Sequence, residues 1–335
     1  MSTRRGFLAG LGAVCALAAA RPLRAAAGTG AGAYSRLLTA TDVHVKGYPT
    51  VAAVEWIGET LARETGGRLQ LRLYHSGQLG REAEAIDMAR FGAIDITRVY
   101  SGALNNAFPL TQALCLPYVF NSVAHLRRVI DGAVGKVVLR GFEQRDLVGL
   151  AIYDCGARSF YNTRRALHVP SDLRGLKFRV PASDIFIRLL RGFGANPVPL
   201  SYGEVFSSLE TRLIDGAENN MRSFHSSRHF EAAGYWSQSE HSYAPDVLLI
   251  SRRSFDALSP GDRQLLLETA RQSVPVLRRL WDASENAARQ AVTDHGVRVN
   301  EVDSEAFRRA AEPLLGAYIQ RDEIAPLHRR IRDLA

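Results

Sequence analysis

The sequence predicts an α/β fold in two lobes, and three observations carry that prediction. A strand, a helix and a strand follow one another over residues 34–41, 51–65 and 69–73, the order that gives parallel strands covered by helices. About 300 residues follow the first 27, more than one hydrophobic core comfortably holds. An apolar stripe with helical spacing can run over 260–296; unbroken, it would span about 55 Å, longer than one lobe needs.

In the first strand region, Asp42-Val43-His44 closes residues 34–41. The helix over 51–65 places Val51, Val54, Ile57 and Leu61 on one side, and Gly66-Gly67 stops it. Leu69, Leu71 and Leu73 then alternate with polar residues as a second strand. Ser76-Gly77-Gln78-Leu79-Gly80 reads as a turn, 82–91 as a helix and 94–99 as a third strand. One helix is expected over 123–138 and an apolar strand over 147–153. The chain then runs through Gly156, a candidate hinge, to Arg158. A short strand holds Arg179, followed by a helix over 183–193, a strand at 198–200 and a helix over 202–211. Asp215-Gly216-Ala217-Glu218-Asn219-Asn220 is a strand and its end, and 243–251 is an apolar segment crossing back. Ser259 and Pro260 suit the cap and first position of the long helix, which Pro275 should kink. A strand over 297–302 and a last helix from Glu305 finish the chain.

The first residues read as an export signal. Arg4-Arg5 precede Phe7-Leu8 and a short run of small apolar residues, a pattern of the twin-arginine type. That run is about 14 residues, too short to span a bilayer core of roughly 30 Å. The expected segments are a signal over 1–27, one lobe over 28–155 plus 244–283, and a second over 156–243 plus 284–335. The signal carries four arginines and no acids, so its removal lowers the net charge from +8 to +4. No basic block interleaved with aromatics appears, which argues against nucleic acid as a partner. Two cysteines remain, Cys115 and Cys155. They could pair in an oxidising compartment, although two separate buried thiols is the preferred reading. No Cys/His spacing of a metal site, phosphate loop or nucleophile elbow is present, so neither cofactor nor metal is expected.

Arg179 is the leading candidate for ligand binding. In Gly175-Leu176-Lys177-Phe178-Arg179-Val180-Pro181, apolar residues alternate with cations as in a half-buried strand. A guanidinium at such a strand end can hold a carboxylate with two parallel hydrogen bonds. The plainer alternative is a solvated charge. Arg158 follows the candidate hinge, and Asn219 and Asn220 offer amides toward hydroxyls. His44, Gln78, Glu82 and Arg98 fall at or near strand ends, where α/β sheets place ligands.

Together these motifs resemble the substrate-binding proteins of tripartite ATP-independent periplasmic (TRAP) transporters. The resemblance rests on Ser76-Gly77-Gln78-Leu79-Gly80, Gly175-Leu176-Lys177-Phe178-Arg179-Val180 and Asp215-Gly216-Ala217-Glu218-Asn219-Asn220, in order behind an export signal. It implies a two-lobed periplasmic binding protein fold with hinge strands and a long kinked helix spanning both lobes. It also implies a periplasmic location, no catalysis, an organic acid ligand and membrane subunits as partners, without membrane insertion of the mature chain. It assigns the main carboxylate-binding arginine to Arg179, a second to Arg158 and an amide to Asn219. Gly156-Ala157-Arg158-Ser159-Phe160-Tyr161-Asn162 and Ser226-Ser227-Arg228-His229-Phe230-Glu231 are similar to the branch that binds hexuronates such as glucuronate and galacturonate. Met221, His225 and Tyr100 depart from that branch, which leaves the sugar open. The rival readings are an exported sugar-acid lyase or hydrolase, with His44 and Glu82 as acid and base, and a sensory binding subunit.

Overall fold

The computed structural model describes residues 35–335, and the signal expected over residues 1–27 lies outside the described residues. In chain order the described strands are β1 (Arg36–Thr41), β2 (Leu69–Tyr74), β3 (Ile96–Tyr100), β4 (Leu147–Tyr153), β5 (Arg158–Asn162), β6 (Lys177–Val180), β7 (Asn196–Pro199), β8 (Gly216–Asn219), β9 (Tyr235–Ser242), β10 (Asp246–Ser251) and β11 (Arg298–Glu301). They form two sheets, one in the order β2-β1-β3-β10-β4 and one in the order β11-β9-β5-β8-β6-β7. β1 pairs parallel with β2 and β3, as the strand–helix–strand order requires. β10 enters between β3 and β4, antiparallel to both. In the second sheet β6 pairs parallel with β7 and β8, while β5 runs antiparallel to β8 and β9.

The chain passes between sheets three times, from β4 to β5, from β9 to β10, and from β10 to β11 by way of a long helix. At the first passage Gly156 has φ +69°, and a Cβ there would lie 3.3 Å from the Trp281 ring. Glycine is therefore needed both for its backbone angle and for the space. The helix Pro260–Asp294 is continuous, capped by Ser259, whose Oγ accepts from the Asp262 N–H at 3.1 Å. Pro275 sits inside it without ending it. Leu266, Ala270, Leu277 and Trp281 join the core beneath the first sheet, with Leu38, Val54 and Leu248. Ala288 and Val292 join the core of the second, with Tyr161 and Trp236. One helix thus packs against both sheets. None of the described helices is long and apolar enough to cross a membrane.

Three elements differ from the sequence expectation. The helix expected over 123–138 is two, Val123–Asp131 and Ala133–Gly141, because Gly132 takes an extended backbone between them. β9 was not expected: its Ser237, Ser239 and Ser242 give no apolar alternation, yet all three are buried in a strand that lies between β5 and β11. The last helix is also two, Ser304–Ile319 and Ala325–Arg332. The second reaches helix Val123–Asp131, where the His125 Nε2 lies 2.8 Å from the Ile331 carbonyl oxygen. Cys115 and Cys155 are both free and buried.

Candidate binding site

β6 sends Phe178 and Val180 into the core and sets Arg179 on its other face, in register with Ala217 of β8. Unlike the exposed Lys177 on the same face, Arg179 does not meet water: it is only 4% exposed. The solvated-charge alternative is thereby excluded. Nε donates to the Leu200 carbonyl at 2.8 Å, and among the described residues no acceptor meets Nη1 or Nη2. Four of the five N–H groups of a guanidinium therefore lack a protein partner. Burial lowers the Arg179 pKa, but a guanidinium stays charged. It is a desolvated cation without a bonded counter-ion.

Arg158, at the start of β5, is differently placed. Its Nε and Nη2 donate to the Glu218 carboxylate at 2.5 and 2.9 Å, and Nη2 also reaches the Glu218 carbonyl. Nη1 donates to Asn219 Oδ1 at 2.9 Å. One Nη1 hydrogen remains for a ligand. The Tyr100 ring lies under the guanidinium, 4.5 Å from centroid to Cζ. Burial alone would raise the Glu218 pKa, but Arg158 and the His241 ring, whose Nε2 lies 3.5 Å from the carboxylate, outweigh it, lowering the value to about 2. The two amides are oriented by the same network. Asn219 Oδ1 also accepts from the Asn220 N–H, and Asn220 Oδ1 caps the helix Met221–Ser226 by accepting from the Ser223 N–H at 2.7 Å. Both amides are left with Nδ2 donors.

The first sheet contributes a buried acidic cluster. Arg98 of β3 holds Asp42 with Nε at 2.9 Å and with Nη2. Its Nη1 lies 3.4 Å from Glu82 Oε1 and 3.3 Å from Asp246 Oδ2. Arg98 lines the site with its guanidinium held among carboxylates. Burial pushes the Asp246 pKa up to about 6, against the pull of Arg98. His44 stacks on Tyr48 at 3.8 Å, and its buried Nδ1 has no hydrogen-bond partner among the described residues. Burial lowers its pKa to about 3, so the ring is neutral.

His44, Glu82, Arg98, Arg158, Arg179, Asn219 and Asn220 line one cavity, together with Tyr100, Tyr202, Ser223 and Asp246. It encloses about 390 Å³ not occupied by protein atoms, part of it open to solvent. Gln78 is the exception: it is exposed and outside the lining. Its turn instead braces the loop that carries His44. The Ser76 N–H donates to the His44 carbonyl at 2.7 Å and the Gly77 N–H to the Asp42 carbonyl at 3.1 Å, with both residues at positive φ. Asp246, Tyr202 and Ser223 were not singled out from the sequence. Asp246 carried a usable signal, a lone acid leading the apolar run Val247-Leu248-Leu249-Ile250.

The chain matches the family described as bacterial extracellular solute-binding protein, family 7 (DctP), over residues 41–322. It belongs to that family. The family comprises non-enzymatic transport proteins of the periplasm, so the lyase or hydrolase reading falls. This TRAP solute-binding protein is 36% identical over 280 residues to a solute-binding protein of Chromohalobacter salexigens, covering 83% of each chain. Its fold is similar to that of a TRAP periplasmic solute-binding protein from Bradyrhizobium sp. BTAi1 in complex with α/β-D-galacturonate. That match has a TM-score of 0.87 and 44% identity, covering 89% of this chain and 100% of that one. A Roseobacter denitrificans protein with bound β-D-glucuronate matches with a TM-score of 0.86 and 37% identity, over 88% and 99% of the two chains.

Proposed function

We propose that this solute-binding protein captures a hexuronate, galacturonate or glucuronate, with the ligand carboxylate on Arg179. The observation that carries the reading is the Arg179 guanidinium, buried with four N–H groups unmet among the described residues. A carboxylate supplies the missing charge and two acceptors in the geometry a guanidinium favours. Arg158 then acts mainly through Glu218 and Asn219, fixing the amide and adding its remaining N–H. Hydroxyls of the sugar reach Asn219 and Asn220 on one side, and His44 and Glu82 on the other. The galacturonate and glucuronate held by the Bradyrhizobium and Roseobacter proteins have this chemistry.

The lobes that close over the ligand divide at 155/156, 243/244 and, within the long helix, 283/284. Tyr48 and Ser223 hydroxyls 2.9 Å apart, Asn105 donating to Ser183 at 2.8 Å and an Arg81–Glu204 ion pair at 3.3 Å join the two sides. A ligand favours closure only through its higher affinity for the closed arrangement. The closed, loaded protein is the form delivered to the membrane subunits of a TRAP transporter. A thermal-shift screen over organic acids and sugar acids tests the reading. Hexuronates should raise the melting temperature most; a neutral hexose or an unrelated acid giving the largest shift would overturn it.

A further inference from the structure

The two walls of the cavity have opposite polarity. On the side of the second sheet the nitrogen groups that line the cavity are donors: Arg179, the last N–H of Arg158, and the Nδ2 groups of Asn219 and Asn220, beside the hydroxyls of Tyr202 and Ser223. On the side of the first sheet the charged groups are carboxylates, and they outnumber their cation. Asp42 takes both Nε and Nη2 of Arg98 and a hydroxyl from Thr50, so it is fully engaged. Glu82 and Asp246 are left to share the single Nη1. Glu82 Oε1 also accepts from the Tyr100 N–H at 2.9 Å, while Oε2 has no partner among the described residues. The neutral His44 beside them, its Nδ1 buried and unpartnered among the described residues, marks the same wall as a place where ligand atoms are expected.

We propose that Glu82 and Asp246 make the site selective for sugar acids with one carboxylate, and that they turn away the corresponding dicarboxylates. The donor wall takes the one carboxylate, and the acceptor wall takes hydroxyls, which donate. A second carboxylate brought to that wall cannot donate and meets two anions in a desolvated space, where like charges repel strongly. Discrimination of this kind comes from the unfavourable pairing built against the wrong ligand. Burial, with a smaller push from Glu82 and Asp42, raises the Asp246 pKa to about 6, so further negative charge beside it is disfavoured. The inference rests on Arg179 being the carboxylate anchor, because that contact decides which end of the ligand faces the acids.

The test is calorimetric titration of the wild type, Glu82→Gln and Asp246→Asn with D-galacturonate and with galactarate, the six-carbon diacid, at pH 7.5. The wild type should bind galactarate weaker than galacturonate by on the order of 100-fold or more. Each isosteric substitution should tighten galactarate by about 10-fold while weakening galacturonate, whose hydroxyls lose an anionic acceptor, a crossover that loss of packing alone does not produce. Wild-type affinities for the two acids within a few-fold of each other would overturn the proposal. So would galactarate affinity that stays undetectable or falls in parallel with galacturonate in both variants, since shape and not charge would then exclude it. Failure of the underlying reading shows separately, as wild type that binds neither acid.

Discussion

Replacing Arg179 with methionine should separate binding from stability. In the ligand-free protein the guanidinium is 4% exposed, and its one hydrogen bond goes to the Leu200 carbonyl. It is desolvated with little return, so a neutral side chain of similar length should leave the fold as stable or more so, by about 1–2 kcal/mol. At this size that corresponds to a rise in melting temperature of roughly 2–6 °C. Binding should respond oppositely. Without the guanidinium, a bound carboxylate is buried unpaired, at about 3–5 kcal/mol, or roughly 10²- to 10³-fold or more in Kd. Arg179→Lys retains the charge but not the fork, and its affinity should fall between. Calorimetry with galacturonate and scanning fluorimetry of the ligand-free proteins read both quantities. A methionine variant that binds within about three-fold of wild type, or that melts well below it without ligand, would refute the reasoning.

Glu218→Gln should do the reverse, because it leaves Arg158 buried without its counter-ion. A destabilisation of about 3–5 kcal/mol is expected, read as a melting temperature lower by roughly 10 °C, with weaker ligand binding as Asn219 loses its orientation. Asp246 gives a pH signature. Its folded pKa of about 6 exceeds the usual 3.8, so the folded state holds the extra proton between these values. The penalty for the ionised form therefore sets in as pH rises through that window and is complete above it. Asp246→Asn should thus stabilise the ligand-free protein above pH 6, by at most about 3 kcal/mol, and the gain should vanish below about pH 4; melting curves at several pH values check it. Cys115 and Cys155, both free and buried, should resist a thiol reagent in the native protein purified from the periplasm, and both should react after denaturation.

Local chemistry made much of the fold legible. The helix Glu82–Phe91 and strand β4 coincide with their sequence expectations, since a stop at Gly92 and an unbroken apolar run are local signals. β9 escaped because serines carry no strand signature and its burial comes from neighbours distant in sequence. The same distinction governs the site. Alternation around Arg179 was visible, but the covering of its polar face was not. The partners of Arg158 and Arg98 lie 60 and 56 positions away, and only the fold shows that these two guanidiniums are compensated while Arg179 is not. Gln78 was singled out because it sits at a strand end; that its turn, with Ser76 and Gly77 at positive φ, braces the loop of Asp42 and His44 shows only in the fold.

The most direct measurement is a calorimetric comparison of galacturonate with its methyl ester, which keeps the sugar and removes only the charge. Micromolar or tighter binding of the acid is expected, with the ester weaker by at least about 100-fold, because it leaves Arg179 buried and uncompensated. Equal affinity for the two would contradict the assignment of Arg179 as the group that holds the ligand.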